Sequence, residues 1–232
     1  VLGPLLAKFG NAKVSLPGGC AIGTRPVDLH LNALSKLGVK FKISDGYVLA
    51  NASKGLIGTT IRFPKISVGA TENLIIAACF AKGNTILKNC AIEPEIKDLV
   101  NFLLKMGCKI KWTGKRSLKI SGVKEIKEIS YSVMFDRIEA GTYLIAAALT
   151  EGNLQIKNVI PKIIKTEIDI LKKVGAKIKV TPNKINIIGN KKIKSIKIKT
   201  SPYPGFPTDL QAQIMVLLCK ANKKSIIRED IF

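Results

Sequence analysis

An internal repeat of about seventy residues constrains the fold of this chain more than any other feature. Three segments close with the same pattern, and they are SKLGVKFKI (35–43), LKMGCKIKW (104–112) and KKVGAKIKV (172–180). Their central glycines lie 69 and 68 residues apart. A second set of anchors keeps the same order, and its members are FGNAKV (9–14), KGNTIL (82–87) and EGNLQI (151–156). The repeat predicts several copies of one supersecondary unit that bury their apolar faces against one another.

Each copy has the pattern of a βαβαββ unit. An Ala-rich helix is predicted over 72–82, and again over 141–151, with a glycine near its end. A short strand follows, and then an amphipathic helix over 94–106 that ends at Gly107. Two alternating strands complete the unit, and the Asp-Gly pair at 45–46 predicts a tight hairpin between them.

The charge of the chain is strongly positive, with a formal net charge of +22. A nucleic-acid or other polyanion ligand is one explanation. However, 33 of the 38 basic residues are Lys, and KKIKSIKIK (191–199) alternates Lys with Ile as a strand with one solvated face would. Aromatic residues, which would stack on bases, make up only 6% of the chain. We therefore favour a solvated sheet surface and expect no nucleic-acid partner.

The apolar and cysteine patterns argue against a membrane-spanning protein and against a zinc-binding one. The apolar run at 74–81 is far shorter than the roughly 18 residues that span a bilayer, so we expect no membrane segment. Five cysteines occur without a C-x-x-C motif and without histidines at metal-ligand spacing. This composition predicts a reduced, cytoplasmic protein without structural zinc. Four of the cysteines fall in apolar segments, where inert packing is expected, and they are Cys79, Cys90, Cys108 and Cys219.

The fifth cysteine lies in an unusual loop, SLPGGCAIGTRPVDLH (15–30). Cys20 follows Pro-Gly-Gly, where the backbone can approach a ligand closely, and it is either a reactive thiol or a small turn residue. Arg25 and a helix that begins near Pro26 would favour the thiolate. Arg25 is itself either a phosphate-binding or a solvated side chain. The only histidine, His30, is expected to be structural.

Three predicted helix starts could also bind a ligand. Ser67 and Gly69 precede a helix expected to begin near Thr71, where free N–H groups could hold a phosphate, although capping by Thr71 and Glu72 explains the pattern equally well. The segment 135–142, FDRIEAGT, is the equivalent start one repeat later. Asp209 lies at a helix start within PYPGFPTDLQAQ (202–213), where its ordinary role would be capping.

Five of these motifs occur together in one known family. They are SLPGGCAIGTRPVDLH, SVGATEN, EPEI (93–96), DRIEAGT and FPTDLQAQ, in this order. Together they resemble the UDP-N-acetylglucosamine enolpyruvyl transferases, of the EPSP synthase-like superfamily, over essentially the whole chain. The resemblance implies an α/β (α+β) fold, an inside-out α/β barrel of βαβαββ units. It also implies two domains, 1–133 and 134–232, with the active site in the cleft between them.

The resemblance implies a reaction as well, and one that needs no metal and no other cofactor. The enolpyruvyl group of phosphoenolpyruvate is transferred to the 3′-hydroxyl of UDP-N-acetylglucosamine with release of phosphate, the first committed step of peptidoglycan synthesis. Cys20 matches the family's catalytic cysteine, the proton donor that fosfomycin alkylates. Asp209 matches the carboxylate that contacts the 3′-hydroxyl and is the candidate base.

The implied binding residues form three groups. The nucleotide-binding segment is matched by Arg25, Pro26, Val27, Asp28 and Leu29, with the first two flanking the uracil. The diphosphate and uridine region is matched by Lys65, Ile66, Ser67, Val68 and Gly69. Ile231 matches a position that contacts the sugar nucleotide.

The length of the chain departs from the family. Family members are close to twice as long. The family's Lys-Asn pair, an arginine before the start of this sequence and a C-terminal arginine that clamps phosphoenolpyruvate fall outside it. We therefore expect the middle of a longer protein, incomplete at both ends, with negligible turnover by itself. Three alternatives stay open. The first is a transferase for another acceptor, which the Cys20 loop argues against. The second is a polyanion-binding or RNA-phosphate-processing protein, since RNA-terminal-phosphate cyclases use a similar repeat, and the third is a truncated, non-catalytic remnant.

Overall fold

The computed structural model of the chain describes residues 1–17 and 27–231. Its contacts divide it into two compact units, Val1–Ser132 and Val133–Phe232. Each unit is described by itself below.

Unit 1 contains two copies of the repeat. The first consists of α1 (Leu2–Phe9), β1 (Asn11–Ser15), α2 (Asp28–Lys36), β2 (Lys40–Ser44) and β3 (Tyr47–Asn51). The second consists of β4 (Thr60–Arg62), α3 (Val68–Ala78), β5 (Asn84–Lys88), α4 (Pro94–Lys105), β6 (Lys109–Gly114) and β7 (Ser117–Ser121). The second copy confirms the predicted βαβαββ order. Its sheet has the order β4-β5-β7-β6, with β4 parallel to β5, and the first copy forms a sheet of order β1-β3-β2.

Unit 2 contains the next two copies. The third consists of α5 (Arg137–Leu149), β8 (Asn153–Lys157), α6 (Lys165–Val174), β9 (Lys177–Thr181) and β10 (Lys184–Ile188), with sheet order β8-β10-β9. The fourth consists of β11 (Lys197–Lys199), a short 3-10 helix (Thr208–Leu210), α7 (Gln211–Leu218) and β12 (Ile226–Arg228). Strands β11 and β12 pair in parallel, as β4 and β5 do.

The repeat glycines have the same backbone conformation. Gly38, Gly107 and Gly175 follow the amphipathic helices with φ of 94°, 96° and 115°. Only glycine adopts this left-handed region without strain, so the glycine at each position ends its helix. The predicted Asp-Gly hairpin is also confirmed, because Asp45 and Gly46 both have positive φ, 52° and 77°.

The Ala-rich helices form the inner layer and the sheets the outer one. In α3, Ala70, Leu74 and Ala77 are fully buried, and α1, α2 and α4 all pack against this helix. The sheets present one face to the core and one to solvent, as in β11, where Ile198 is buried between two exposed lysines. The predicted inside-out arrangement and the solvated lysine face are thus confirmed, although the strand at 191–199 is limited to three residues.

Both Ala-rich helices begin earlier than the sequence predicted. The structure has α3 at Val68–Ala78 and α5 at Arg137–Leu149, whereas the apolar runs suggested 72–82 and 141–151. The start of each helix is set by a capping side chain several residues before the apolar run. After α5 the left-handed position falls on Glu151, with φ of 59°, instead of Gly152.

The cysteine prediction holds for three described residues and fails for one. Cys79, Cys90 and Cys108 are buried, as expected for inert packing. Cys219 is exposed, because α7 buries Ile214, Leu217 and Leu218 and the cysteine lies one residue beyond the helix. Within residues 1–17 and 27–231, no helix has both the length and the apolar character needed to cross a membrane.

Candidate substrate-binding and catalytic site

Three of the predicted site residues, Cys20, Arg25 and Pro26, lie outside the described residues. The remaining predicted positions belong to two groups. One comprises the starts of α2 and α3 in unit 1, and the other comprises the start of the short 3-10 helix and the end of the chain in unit 2.

The start of α2 carries the end of the predicted nucleotide-binding segment. Val27 is the N-cap residue, and its carbonyl accepts hydrogen bonds from the N–H groups of His30 and Leu31, both at 3.0 Å. Leu29 packs against the core, whereas Asp28 is exposed. The core contact of Leu29 therefore holds the first turn in place while Asp28 faces solvent.

The start of α3 is capped by Ser67 and not by Thr71. The Ser67 Oγ accepts from the Ala70 N–H at 3.2 Å, and its carbonyl accepts from the Thr71 N–H at 3.1 Å. Thr71 is an interior residue whose hydroxyl donates to the Ser67 carbonyl and accepts from the Ala91 N–H. The proposed capping by Thr71 and Glu72 is therefore wrong. Among the described residues, the N–H groups of Val68 and Gly69 have no hydrogen-bond acceptor, as expected for a first helical turn.

The segment from Lys65 to Gly69 alternates between anchoring and exposed positions. Ile66 and Val68 pack against the core, whereas Lys65 and Gly69 are exposed. The exposed side of the segment thus combines a lysine, a serine cap and a glycine at the positive end of the helix dipole. Such a combination attracts an anion and lets it approach the backbone.

His30 connects the two helix starts. A Cβ built on Gly69 would lie 3.5 Å from His30 Cε1 and 3.8 Å from its Nε2, so the imidazole lies against the first turn of α3. The Asn73 side-chain amide donates to His30 Nδ1 at 3.0 Å. Burial lowers the pKa of His30, while the negative charge of Asp28 has the opposite effect.

Sequence reasoning missed Asn73. This residue is only 8% exposed, and its Oδ1 also accepts from the Gly3 N–H of α1 at 2.6 Å. The available signal was a polar residue inside an apolar helix, which must find hydrogen-bond partners when it is buried.

The EPEI motif places carboxylates at the start of α4. Glu93 is buried, and its carboxylate accepts from the Ile92 N–H at 2.8 Å. Burial raises the pKa of the nearby Glu72, and the negative charges of Glu95 and Glu93 raise it further. The carboxylates of Glu72, Glu93 and Glu95 therefore make the surroundings of the α4 start acidic. An anion is more favourably placed at the start of α3, near Ser67.

In unit 2, Asp209 is exposed and does not cap a helix. Neither the 3-10 helix nor α7 has a side-chain cap hydrogen bond, so the proposed capping role is wrong. The adjacent Thr208 hydroxyl donates to the Glu229 carboxylate, which also accepts from the Ile231 N–H at 2.7 Å. Glu229 therefore brings the segments of Asp209 and Ile231 together and leaves the Asp209 carboxylate exposed to solvent.

The start of α5, predicted to be equivalent to that of α3, is built differently. Asp136 is its cap, and one carboxylate oxygen accepts from the N–H groups of Ile138 and Glu139 at 2.7 and 3.1 Å. Arg137 is buried, and its guanidinium lies 4.0 Å from the buried carboxylate of Glu167. The protein's own carboxylate therefore occupies this helix start.

One surface cleft lies away from the predicted site residues, and a second lies at the start of α5. A cleft of about 310 Å³ is lined by Arg62, Lys88, Asn89, Arg116 and Ser117 in unit 1. A cleft of about 400 Å³ in unit 2 lies between the first turns of α5 and strand β8. Within the part of the chain that the structure describes, no three His, Cys, Asp or Glu side chains are grouped so that they could hold a metal ion.

The whole chain, with its repeat and fold, matches a known class of protein. The family model of EPSP synthase (3-phosphoshikimate 1-carboxyvinyltransferase) matches residues 1–232, and the chain belongs to this family. The match therefore includes all four copies of the repeat described above.

Curated relatives are similar over the whole chain. A UDP-N-acetylglucosamine 1-carboxyvinyltransferase of Pelagibacter ubique (strain HTCC1062) is 77% identical over 232 residues, which cover 100% of this chain and 56% of that relative. A protein of the same name from Endomicrobium trichonymphae is 51% identical with the same coverage. The chain thus spans about half the length of the curated relatives it matches.

Solved structures share the fold at lower identity. The enolpyruvyl transferase NikO from Streptomyces tendae matches with a TM-score of 0.84 at 22% identity, covering 98% of this chain and 55% of NikO. An EPSP synthase from Acinetobacter baumannii matches with a TM-score of 0.61 at 18% identity, covering 97% of this chain and 53% of that one. These matches confirm the predicted EPSP synthase-like α/β fold.

Proposed function

We propose that the gene product containing this chain transfers the enolpyruvyl group of phosphoenolpyruvate to the 3′-hydroxyl of UDP-N-acetylglucosamine and releases phosphate. The observation that carries this proposal is the 77% identity, over all 232 residues, to a UDP-N-acetylglucosamine 1-carboxyvinyltransferase. The reaction would supply peptidoglycan synthesis, and its proposed location is the cytoplasm. The proposed domains are 1–133 and 134–232.

The chemistry requires two proton transfers during addition. The 3′-oxygen of the sugar attacks C2 of phosphoenolpyruvate and loses its proton, while C3 gains one. Loss of a proton from C3 and breakage of the bond to phosphate then give the enolpyruvyl product. In this proposal, Cys20 delivers the proton to C3 and Asp209 receives the proton of the hydroxyl. The carboxylate of Asp209 is exposed and makes no capping hydrogen bond, so a substrate can reach it. This exposure supports its role as the base.

Binding of the nucleotide is proposed for the starts of α2 and α3 in unit 1. Arg25 through Leu29 would hold the uridine, and Lys65 through Gly69 would hold the diphosphate. The uncapped N–H groups of Val68 and Gly69 and the exposed Lys65 support the diphosphate assignment, since both favour a negative ligand. Ile231 would contact the sugar nucleotide.

Phosphate release in the full-length protein, meaning the gene product extended to the length of its relatives, tests the proposal. We expect release only when phosphoenolpyruvate and UDP-N-acetylglucosamine are both present, and none with 3-phosphoshikimate as acceptor. Asp209→Asn should lower kcat by at least about a hundredfold, because a general base is worth roughly that much. Asp45→Asn removes a hairpin carboxylate that is also exposed and should leave the rate unchanged. Equal rates for the two variants would contradict the role of Asp209.

Fosfomycin labelling tests the role of Cys20. With UDP-N-acetylglucosamine present, the full-length protein should be modified at Cys20, as shown by peptide mass mapping, and Cys20→Ala should not be modified. Labelling at Cys219, the exposed cysteine of unit 2, would argue against the assignment. The 232-residue chain by itself is expected to give negligible turnover. Salt-sensitive RNA affinity that is unaffected by Cys20→Ala would instead favour a polyanion-binding protein.

A further inference from the structure

Asn73 is a buried polar residue that uses both ends of its side-chain amide. It lies on the apolar helix α3 and is 8% exposed. Its Oδ1 accepts from the Gly3 N–H at 2.6 Å, and its Nδ2 donates to His30 Nδ1 at 3.0 Å. A single side chain thereby links α1, α2 and α3.

The contact with Gly3 fixes the orientation of the Asn73 amide. A backbone N–H is always a donor, so the atom that faces Gly3 must be the carbonyl oxygen of the amide. The NH₂ group therefore faces His30. Helix α1 lies close to this side chain, since a Cβ built on Gly3 would be 2.5 Å from Asn73 Oδ1.

The orientation of the amide in turn determines the tautomer of the imidazole. His30 Nδ1 accepts a hydrogen bond from an NH₂ donor, so it carries no proton, and in the neutral ring the proton must be on Nε2. The ring edge formed by Cε1 and Nε2 lies against the first turn of α3, 3.5 and 3.8 Å from the Cβ position of Gly69. The N–H groups of Val68 and Gly69, which lack acceptors among the described residues, belong to the same turn.

We propose that Asn73 is a positioning residue that holds His30 as the Nε2–H tautomer, so that the imidazole adds a neutral N–H donor to the diphosphate site at the start of α3. This inference rests on the proposed function, which places the diphosphate at Lys65 through Gly69. The arrangement excludes His30 as the general base of the reaction, because Nε2 already carries a proton and Nδ1 is engaged.

The tautomer can be observed directly, because the chain has one histidine. In the full-length protein, specific ¹⁵N-histidine labelling with assignment through a His30→Gln spectrum isolates the His30 signals from those of any histidine elsewhere. We expect a protonated Nε2 and an unprotonated Nδ1 without ligand. Asn73→Asp is the matched variant, since one carboxylate oxygen can still accept from the Gly3 N–H while the donor to His30 is lost. Its spectrum should show a proton on Nδ1. A protonated Nδ1 in the wild type, or an unchanged spectrum in Asn73→Asp, would overturn the proposal.

Binding of UDP-N-acetylglucosamine tests whether the His30 imidazole acts as a donor to the diphosphate. His30→Gln places an amide donor near the position of Nε2, and His30→Asn places one near the position of Nδ1. We expect His30→Gln to keep the affinity within about threefold and His30→Asn to lose at least about tenfold, the lower limit for one hydrogen bond to a charged group. The loss should appear in KM with little change in kcat, because this donor serves binding and not the chemical step.

Equal affinities for the two His30 variants would overturn the role of the imidazole as a donor. If the wild type shows the Nε2–H tautomer but binds no UDP-N-acetylglucosamine, the proposed function fails and the diphosphate is excluded as the ligand, while the positioning by Asn73 stands. The spectroscopic and binding measurements therefore separate the failure of this inference from the failure of the proposed function.

Discussion

The starts of α3 and α5 occupy equivalent places in the repeat but have opposite electrostatic character. Their cap residues, Ser67 and Asp136, lie 69 residues apart, which is the period of the repeat. Ser67 satisfies one N–H with a neutral hydroxyl. Asp136 satisfies two with a carboxylate. One start therefore keeps its positive partial charge available, and the other neutralises it with its own side chain.

The residues that follow the two caps, Val68 and Arg137, also differ: the first is apolar and the second is charged. Val68 packs apolar surface against the core of unit 1, whereas Arg137 is buried beside Glu167 in unit 2. Burial raises the pKa of Glu167, and Arg137 only partly opposes this effect. The comparison shows that equivalent helix starts of the repeat differ in electrostatic character, because the residues at each start differ.

Replacing the cap of α3 by that of α5 should have the largest effect, and the effect should be on nucleotide affinity. Ser67→Asp gives α3 the cap of α5 and places a carboxylate beside the proposed diphosphate. We expect the affinity for UDP-N-acetylglucosamine to fall by about a hundredfold, which corresponds to about 2.7 kcal/mol of repulsion and lost attraction. The thermal stability should be retained, because Asp caps a helix as well as Ser does. Calorimetric titration and thermal unfolding of the full-length protein measure the two quantities.

Ser67→Asn is the matched control for this exchange. It has the shape of Asp and is also a good N-cap, but it carries no charge. Its affinity should stay within a few fold of the wild type. If Ser67→Asp binds the nucleotide as tightly as Ser67→Asn, the charge at this helix start does not matter and the diphosphate lies elsewhere.

The glycines of the two helices should respond differently to an added methyl group. A Cβ at Gly141 of α5 would lie 2.5 Å from Cδ1 of Leu210, which is fully buried. Gly141→Ala should therefore destabilise the protein by about 1–3 kcal/mol through overpacking. Gly69→Ala meets only ordinary contacts with His30 and should gain up to about 1 kcal/mol from helix propensity. Denaturant unfolding measures both, and similar losses in the two variants would contradict the assignment of Gly141 to packing and Gly69 to an open surface.

The sequence was sufficient to predict the elements that depend on local pattern. The repeat period, the left-handed glycines such as Gly107 and the Asp-Gly hairpin all follow from spacing and from the conformational freedom of glycine. The starts of α3 and α5 did not follow, because an apolar run marks the buried face of a helix and contains no information on its cap. The Thr71 hydroxyl resembles a cap in sequence, yet in the structure it reaches Ala91.

Contacts between distant residues could not be predicted from the pattern. The hydrogen bond between Asn73 and His30 joins residues 43 positions apart, and the one between Asn73 and Gly3 joins residues 70 apart. The helix periodicity indicates that Asn73 is buried, but not which groups satisfy its amide. Likewise, the hydrogen bond between Thr208 and Glu229 joins residues 21 positions apart.

Removing each cap should reveal the difference in their strength. Asp136→Ala loses two hydrogen bonds and a charge at the helix start, and we expect it to cost about 1–2 kcal/mol. Ser67→Ala loses one longer hydrogen bond, of 3.2 Å, and should cost no more than about 0.5–1 kcal/mol. Unfolding by urea measures both values in the full-length protein. A larger loss for Ser67→Ala would mean that Ser67 has a structural role greater than that of Asp136.

The smallest expected effect concerns the protonation of His30, which has no equivalent at the start of α5. Because burial lowers the pKa of His30 in the folded protein below the ordinary value of about 6.5, the unfolded chain binds a proton more readily than the folded one. This difference contributes stability above about pH 6.5, and the contribution is lost as the pH falls through the lowered pKa. His30→Gln cannot titrate and should lose less stability on acidification than the wild type. The raised pKa values of Glu72 and Glu167 act in the opposite direction, but they are present in both proteins and cancel in the difference. Unfolding free energies measured between about pH 7.5 and pH 5 test this, and parallel pH profiles would show that the imidazole titrates as freely as in the unfolded chain.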